Sequence, residues 1–541
     1  MKNAYIYIYT TVFFILTSMA GLHAQESLSY FVQANSIATD GSNAPFWLTA
    51  QRSGISTVNS NSGYARYGIS YKGSFGKENR FKYNATADIV TGYNQQNTFM
   101  LQQAFFDLNW KWLTLSIGSK ERWSEREYMH TTQACAAIEN SIVNEYPNLF
   151  AGRYASLGSG GLTFSGNSRP IPQIRAEIQD FIDFPWTNGW LQIRGHIAYG
   201  MFTDHNFQED FTRNNPKAHY ARNILYHSKA MFLKIGKSDR FPLTIEGGLE
   251  MYTQFGGDIY THEEGLKISM PRKPMDFFKA LIPMGGSEDT PTVEQTNISG
   301  NQVGSWHAAL TWHTKKADIR IYGEHLFEDF SQLFFFEYQQ NRKGEKRIIY
   351  YPWRDFLVGI NIRNKSRFLP FVDNFRYEYL TTRDQSGALY HDPSDHFSEQ
   401  MDGCDNYYNH GIYPGWHHWG MGIGNPLIIS PAYNSNGTLQ FRSNRLIAHN
   451  AGINGTLDKW FPLAYRLQYT YSENLGSYSY PFADKRYSTS LLAEFICAPA
   501  KSNWTGMLSL GYDKSSYIGN NSGVMFTLSY TGEIKKLLTK F

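Results

Sequence analysis

Between residues 383 and 443 the chain concentrates side chains that could handle a carbohydrate. Tyr407, Tyr408, His410, Tyr413, Trp416, His417, His418 and Trp419 stand among Asp405, Asn406, Asn409, Gly411, Pro414 and Gly415. Flat rings offer an apolar face to sugar C–H groups, while Asp, Asn and His hydrogen-bond hydroxyls. Asp405, Tyr407, Tyr408, His410, Tyr413, Trp416, His417 and Trp419 are therefore the candidate glycan-binding residues. A loop of this length can also fold on itself over a barrel mouth and keep its aromatics as a private core. Both readings stay open at this level.

Other chemistry finds less support. His391, Asp392 and His396 lie near the same loop, but no H-E-x-x-H or C-x-x-C spacing accompanies them, so no metal and no cofactor is expected. The run Gly420-Met421-Gly422-Ile423-Gly424 follows no strand–turn–helix unit, which argues against nucleotide binding. Ser159 sits in Gly158-Ser159-Gly160-Gly161, which is no G-x-S-x-G elbow, and spacing pairs no His with a Ser; no catalytic residue is expected. Cys135, Cys404 and Cys497 are an odd, widely spaced set and form no disulfide framework. Cys497 shares the apolar face of its segment with Ala493 and Phe495, where it reads as a small hydrophobe.

The elements that must carry these residues are strands. At 64–75, Tyr67, Ile69, Tyr71 and Phe75 alternate with Arg66, Ser70, Lys72 and Ser74. At 80–93, Phe81, Tyr83, Ala85, Ala87, Ile89 and Tyr93 oppose Lys82, Asn84, Thr86 and Asp88. At 243–255, Ile245, Leu249, Met251 and Phe255 oppose Thr244, Glu246, Glu250 and Gln254. A period of two sends successive side chains to opposite faces. One face is apolar and the other keeps full charges, which suits a wall with lipid outside and water inside. Similar runs, including one at 159–168, bring the total to roughly 18 spans, an even number as bacterial single-chain barrels require.

The predicted fold is thus all-β: a transmembrane antiparallel β-barrel of about 18 strands with a few short periplasmic helical elements. No internal stretch approaches the roughly 20 apolar residues of a spanning helix. The net charge of +3 over 541 residues gives no reason to invoke nucleic acid. Lys2, the largely apolar run Tyr5 to Leu16 and the small residue Ala24 read as a signal peptide over 1–24. Residues 25–62 lack membrane-length alternation and are expected to form a periplasmic lead-in or plug, with the barrel over 63–541.

From residue 190 onward short links such as 237–242, 364–370 and 458–462 alternate with long ones at 203–227, 256–304, 329–353, 383–443 and 474–486. Short turns are periplasmic and long loops external in such barrels. In the first third the pattern fails, because 120–157 falls on the short side. Either one strand there is misassigned, or the segment is a periplasmic piece with a helix over 132–143. Phe541 supplies the terminal aromatic of many outer-membrane proteins.

Several segments together resemble the Wzi capsule assembly family in its Bacteroides-type form. They are Ala44-Pro45-Phe46-Trp47-Leu48, Leu157-Gly158-Ser159-Gly160-Gly161, Ser165-Gly166-Asn167-Ser168-Arg169-Pro170-Ile171-Pro172, Glu324-His325-Leu326-Phe327-Glu328-Asp329, and Gly411-Ile412-Tyr413-Pro414-Gly415-Trp416 running on to Gly424-Asn425-Pro426-Leu427. The resemblance implies an 18-stranded outer-membrane barrel that holds capsular polysaccharide at the cell surface without catalysis. Little sequence precedes residue 64 for the N-terminal helical bundle of that family. Expected partners are capsular or other surface polysaccharide, outer-membrane lipid and lipopolysaccharide, and the barrel-assembly machinery during insertion. The alternative function is a porin-like diffusion channel, since a barrel this wide can leave an aqueous lumen.

Overall fold

The computed structural model describes residues 26–124, 156–284, 299–328, 336–340, 346–350, 354–366, 369–385, 405–457, 463–499 and 502–534. The expected signal peptide, the helix at 132–143, Cys135, Cys404, His391, Asp392, His396 and Phe541 lie outside the described residues.

An 18-stranded antiparallel sheet forms the wall. Its first nine strands are β1 (Ser27–Asp40), β2 (Ser62–Phe75), β3 (Phe81–Tyr93), β4 (Phe99–Trp110), β5 (Leu113–Ser119), β6 (Gln173–Asp183), β7 (Leu191–Met201), β8 (Leu225–Ile235) and β9 (Leu243–Phe255). The other nine are β10 (Asn301–His313), β11 (Ala317–Glu328), β12 (Phe356–Asn364), β13 (Asn374–Thr381), β14 (Arg445–Thr456), β15 (Leu463–Gly476), β16 (Pro481–Cys497), β17 (Trp504–Ser515) and β18 (Asn521–Glu533). Each strand pairs with its neighbour in the chain, and β1 pairs with β18 from Ser29↔Glu533 to Asp40↔Ser522, which closes the barrel.

The alternation has the expected sense. Tyr67, Ile69, Ile89 and Ile245 are exposed on the outside, whereas Arg66, Asp88, Glu246 and Glu250 are buried inside. Exposed Trp110, Trp112, Trp186, Trp190, Trp312 and Trp504 cluster at the short-turn end. Such a girdle places amphipathic rings at the lipid headgroup level.

Two strand assignments change, and they compensate in number. Ser27–Asp40 is a wall strand, so only the later part of the expected lead-in at 25–62 leaves the wall. The reason is packing: Phe31 and Ile37 point into the lumen, while small Ala34, Ser36 and Ala38 face outward and blur the pattern. Residues 159–168 form no strand; they are buried loop inside the barrel. With both changes, 120–172 moves to the long-connection end, where 94–98, 477–480 and 516–520 are nevertheless short links. The link expected at 474–486 shrinks to the turn between Gly476 and Pro481, because β15 and β16 extend beyond the membrane band.

Short helices are present at Phe46–Thr49 (α1), Phe207–Thr212 (α2) and Pro274–Leu281 (α3). All three belong to long connections, not to the short-turn side where helical pieces were expected. Among the described residues the short-turn end holds a 3-10 turn, Lys77–Asn79 between β2 and β3, where too little chain is left for an α-helix. A small sheet of Tyr220–Arg222, Gly257–Thr261 and Gly265–Met270 adds to the same long-connection end.

Met231 lies near the middle of β8 and is 56% exposed on the outer face. Met231→Arg is expected to cost roughly 2–4 kcal/mol of stability when the protein refolds into vesicles. Lys237→Ala, in the turn after β8, should change stability by less than about 0.5 kcal/mol. Equal losses would mean that the outward face is misassigned.

Candidate functional site

Three connections fold into the lumen: 41–61, 156–172 and 405–444. The middle one explains why. Its run of Gly, Ser and Pro supports neither helix nor ladder, so its backbone N–H groups need partners wherever it is buried. The wall provides them as carboxylates. Ser159 N donates to Glu378 Oε2 at 2.6 Å, and Leu162 N to Glu324 Oε2 at 2.7 Å. In the other two connections Tyr408 N donates to Glu328 Oε1 at 2.6 Å and Phe46 N to Asp513 Oδ2 at 2.8 Å. A charged acceptor makes each of these a strong hydrogen bond.

The three segments also bind one another. Asn167 Nδ2 donates to Gly422 O at 3.0 Å, Ser165 Oγ to Gly424 O at 2.6 Å, and Asn425 Nδ2 to Gly160 O at 2.6 Å. Gln51 Nε2 reaches Ser159 O at 3.0 Å. The glycine at 424 is needed for closeness: a Cβ there would collide with the Leu162 carbonyl and the Tyr408 hydroxyl. Steric packing, not phosphate binding, accounts for that glycine in the 420–424 run.

Buried ion pairs also brace the plug and the wall around it. Arg52 Nη2 meets Glu494 Oε2 at 2.9 Å, and Arg466 Nη2 meets Glu494 Oε1 at 3.0 Å. Arg66 bridges Asp88 at 2.7 Å and Glu121 at 3.1 Å. Every partner in these pairs is buried, and removing one would leave an uncompensated charge.

The aromatic loop is the centre of this plug. Tyr407, Tyr408, Tyr413, Trp416, His417 and Trp419 are all buried, and Asp405 and His410 half-buried. Tyr407 Oη donates to Asp355 Oδ2 at 3.0 Å, and Tyr413 Oη to Gly256 O at 3.1 Å. Trp416 Nε1 donates to Thr163 O at 2.9 Å. Tyr408 Oη donates to Leu162 O and accepts from Asn425 N at 3.0 Å. Burial pushes the Tyr407 and Tyr408 phenols far above their usual range, so both stay donors. Trp419 stacks beneath the Arg169 guanidinium, 4.2 Å from its ring centroid. The private-core alternative fits this placement: the tyrosine and Trp416 rings are buried and their polar edges meet partners in the plug and its wall.

Residue-by-residue reading of the sequence gives the wall carboxylates no individual role. Glu324 and Glu328 stand inside a segment already singled out, and Glu378 and Glu494 on inward positions of alternating strands. Inward charge was the available signal; which loop amide each would meet was not. The same socket brings Ser305 Oγ within 2.9 Å of His307 Nε2. That hydroxyl donates to Glu250 at 3.2 Å and accepts from Thr163 at 2.8 Å, under the plug. It is a hydrogen-bond node with its single proton in use. Ser159 is likewise buried, its Oγ accepting from Asn425 at 3.1 Å.

Above the plug the β15–β16 tip carries exposed rings. Tyr478 and Tyr480 are exposed, with Arg445 3.8 Å from the Tyr478 ring centroid and Arg442 5.9 Å from that of Tyr480. Arg486, also exposed, lies 4.3 Å from the Phe482 centroid and 5.7 Å from that of Tyr517. Tyr478 Oη donates to Asp384 O at 3.0 Å, and Asn406 Nδ2 to Ser479 Oγ at 3.4 Å, joining this rim to the plug.

No family model and no curated protein matches the chain in sequence. In fold it is similar to Wzi of Escherichia coli, an outer-membrane protein involved in group 1 capsule assembly and a carbohydrate-binding β-barrel. The TM-score is 0.51 at 11% identity, over 92% of this chain and 83% of that one. Weaker likenesses join it to Acinetobacter baumannii OccAB4 (TM-score 0.43, 8% identity, 94% of this chain and 98% of that one). Pseudomonas aeruginosa OprD gives 0.42 at 9%, over 94% and 96%. At such identities the likeness is one of fold. The chain is an outer-membrane β-barrel.

Burial holds the His417 imidazole down to about 3 and that of His418 down to about 4. Unfolded imidazole titrates near 6.5, so the unfolded loop binds more protons between these values. The stability these groups contribute is full above about pH 6.5 and is lost as pH falls toward 4. Proteolysis of 405–444 in vesicle-embedded protein should accelerate over that window while the barrel stays folded. A cleavage rate independent of pH would show that neither imidazole is buried neutral.

Proposed function

We propose that this barrel binds surface polysaccharide at its outer end and helps hold capsule on the cell, with the plug closing the lumen and supporting the rim. The observation that carries this reading is the plug: wall carboxylates hold three inward-folded connections across the lumen. Segments that cross the lumen favour a closed barrel over a wide open pore. The five segments that resemble the Wzi family meet at this plug and its wall sockets, which adds support. So does the likeness in fold to a carbohydrate-binding barrel of Escherichia coli.

The contact surface is assigned to the rim. Tyr478, Tyr480 and Phe482 supply stacking faces, and Arg442, Arg445 and Arg486 supply cationic donors, a combination that favours acidic sugars. The buried set from Asp405 to Trp419 acts beneath it as the support.

Two experiments test the reading. The purified protein should show little steady conductance in a planar bilayer, and Glu324→Ala/Glu378→Ala should add flickering current as the plug loosens. A large stable current from the unaltered protein would favour the diffusion channel. In cells, deletion should shift polysaccharide from the bound to the shed fraction without stopping its synthesis. Each rim aromatic contributes about 1 kcal/mol, so Tyr478→Ala should weaken retention modestly. The triple change Tyr478→Ala/Tyr480→Ala/Arg445→Ala should weaken it strongly. Unchanged retention in the deletion strain would remove the capsule role.

A further inference from the structure

Helix α3 is too short to cross a membrane and lies flat against the outside of the wall. Its N-terminus is set by Pro274 at the first helical position and by Lys273 N donating to Asp276 Oδ2 at 2.6 Å. One face packs on strands β7 to β9. The Phe277 ring centroid is 5.6 Å from that of Tyr199 and 5.1 Å from that of Phe255. Tyr199 Oη donates to Phe277 O at 2.8 Å.

Near the other end of the helix, Lys229 Nζ donates to Ala280 O at 2.8 Å. By register Lys229 pairs with Ile197 and Met251, which places it on the outward face of the wall. A lysine there faces lipid unless something covers it. The helix provides that cover, and its C-terminal carbonyls carry the negative end of its dipole.

The opposite face of α3 has the wrong character for water. Met275 (59% exposed), Phe278 (47%) and Ile282 (49%) are spaced as one helical stripe, and Met284 (44%) extends it. A helix packed on protein by one side and bathed by solvent on the other would keep its outer stripe polar. This stripe instead continues an established surface. Ile197, which pairs with Lys229, and Met231, two residues further along β8, are exposed on the lipid-facing belt of the same strands. Arg272 and Lys273, both exposed, lead into the helix.

We propose that residues 271–284 form an interfacial foot that rests in the outer leaflet, with Met275, Phe278, Ile282 and Met284 among acyl chains and Arg272 and Lys273 level with lipid phosphates. Helices of this kind bury their apolar face about 5–10 Å into the boundary between headgroups and chains. The foot widens the footprint of the barrel on one side only, over β7 to β9, and shields Lys229 from lipid.

The test uses the full-length protein with its cysteines replaced (Cys135→Ser, Cys404→Ser, Cys497→Ala). An environment-sensitive fluorophore is placed at Phe278→Cys, at Met275→Cys as a second site, and at Ser435→Cys as an exposed control. Each variant is refolded into dioleoylphosphatidylcholine vesicles carrying nitroxide lipids, and folding is checked by heat-dependent gel migration. Blue-shifted emission at 278 and 275 is expected, with quenching severalfold above that at 435 and strongest for shallow nitroxides. Emission at 278 and 275 as aqueous and unquenched as at 435 would overturn the proposal. So would blue-shifted but unquenched emission with cross-linking between copies, since that assigns the stripe to a second chain.

Discussion

Everything inside this barrel depends on one constraint: a backbone amide taken out of water must find an acceptor. The wall strands satisfy theirs in the ladder. The segments that cross the lumen have no ladder, and wall carboxylates meet them instead. Glu378, Glu324, Glu328 and Asp513 each accept a main-chain N–H from a different point of the plug. These acids are not only a wet lining. They are sockets that determine where each loop crosses.

Ion pairs add selectivity to that arrangement. Glu494 is shared by Arg52 from the first inward segment and Arg466 from the wall, and Asp88 and Glu121 share Arg66. Against well-packed apolar residues, such buried pairs bring little net stability. A broken one costs several kcal/mol, because its remaining charge is stranded. They therefore act against misplaced loops more than they hold the barrel closed, which is the task of the strand pairings from β1 to β18. The outer end then inherits a stiff base. Tyr408 links wall, 156–172 and 421–428 in one hydrogen-bonded unit, and the rim tyrosines stand on segments hydrogen-bonded to that unit.

The same rule acts on the outside with the opposite sign. Lipid accepts apolar side chains and rejects unpaired charge, so the outward faces are Tyr, Ile, Leu and Met. Lys229, outward on β8 on the same face as buried His227, has its ammonium against the carbonyl end of α3. The chain thus handles buried polarity in two ways: with carboxylates in the lumen and with a helix end on the lipid side.

The amino-acid sequence by itself determined which way most wall residues face, because alternation is a local steric consequence of extended backbone. Tyr67 against Arg66, or Ile245 against Glu246, needs no partner to be read. It also determined that the wall is long enough for about 18 spans. Tertiary structure decided the rest. Ser27–Asp40 is a strand because β2 and β18 flank it and because Phe31 packs inward over Gly68 and beside Arg66; nothing within those residues records either neighbour. Residues 159–168 alternate passably, yet their amides go to Glu378 and Glu324, more than 160 positions away. The rings from Tyr407 to Trp419 have the composition of a sugar site because a buried polar plug and a glycan platform need the same groups: flat apolar faces with hydrogen-bonding edges. Only the fold settles which partner those edges meet, and in this barrel Asp355, Leu162, Thr163 and Gly256 already hold them.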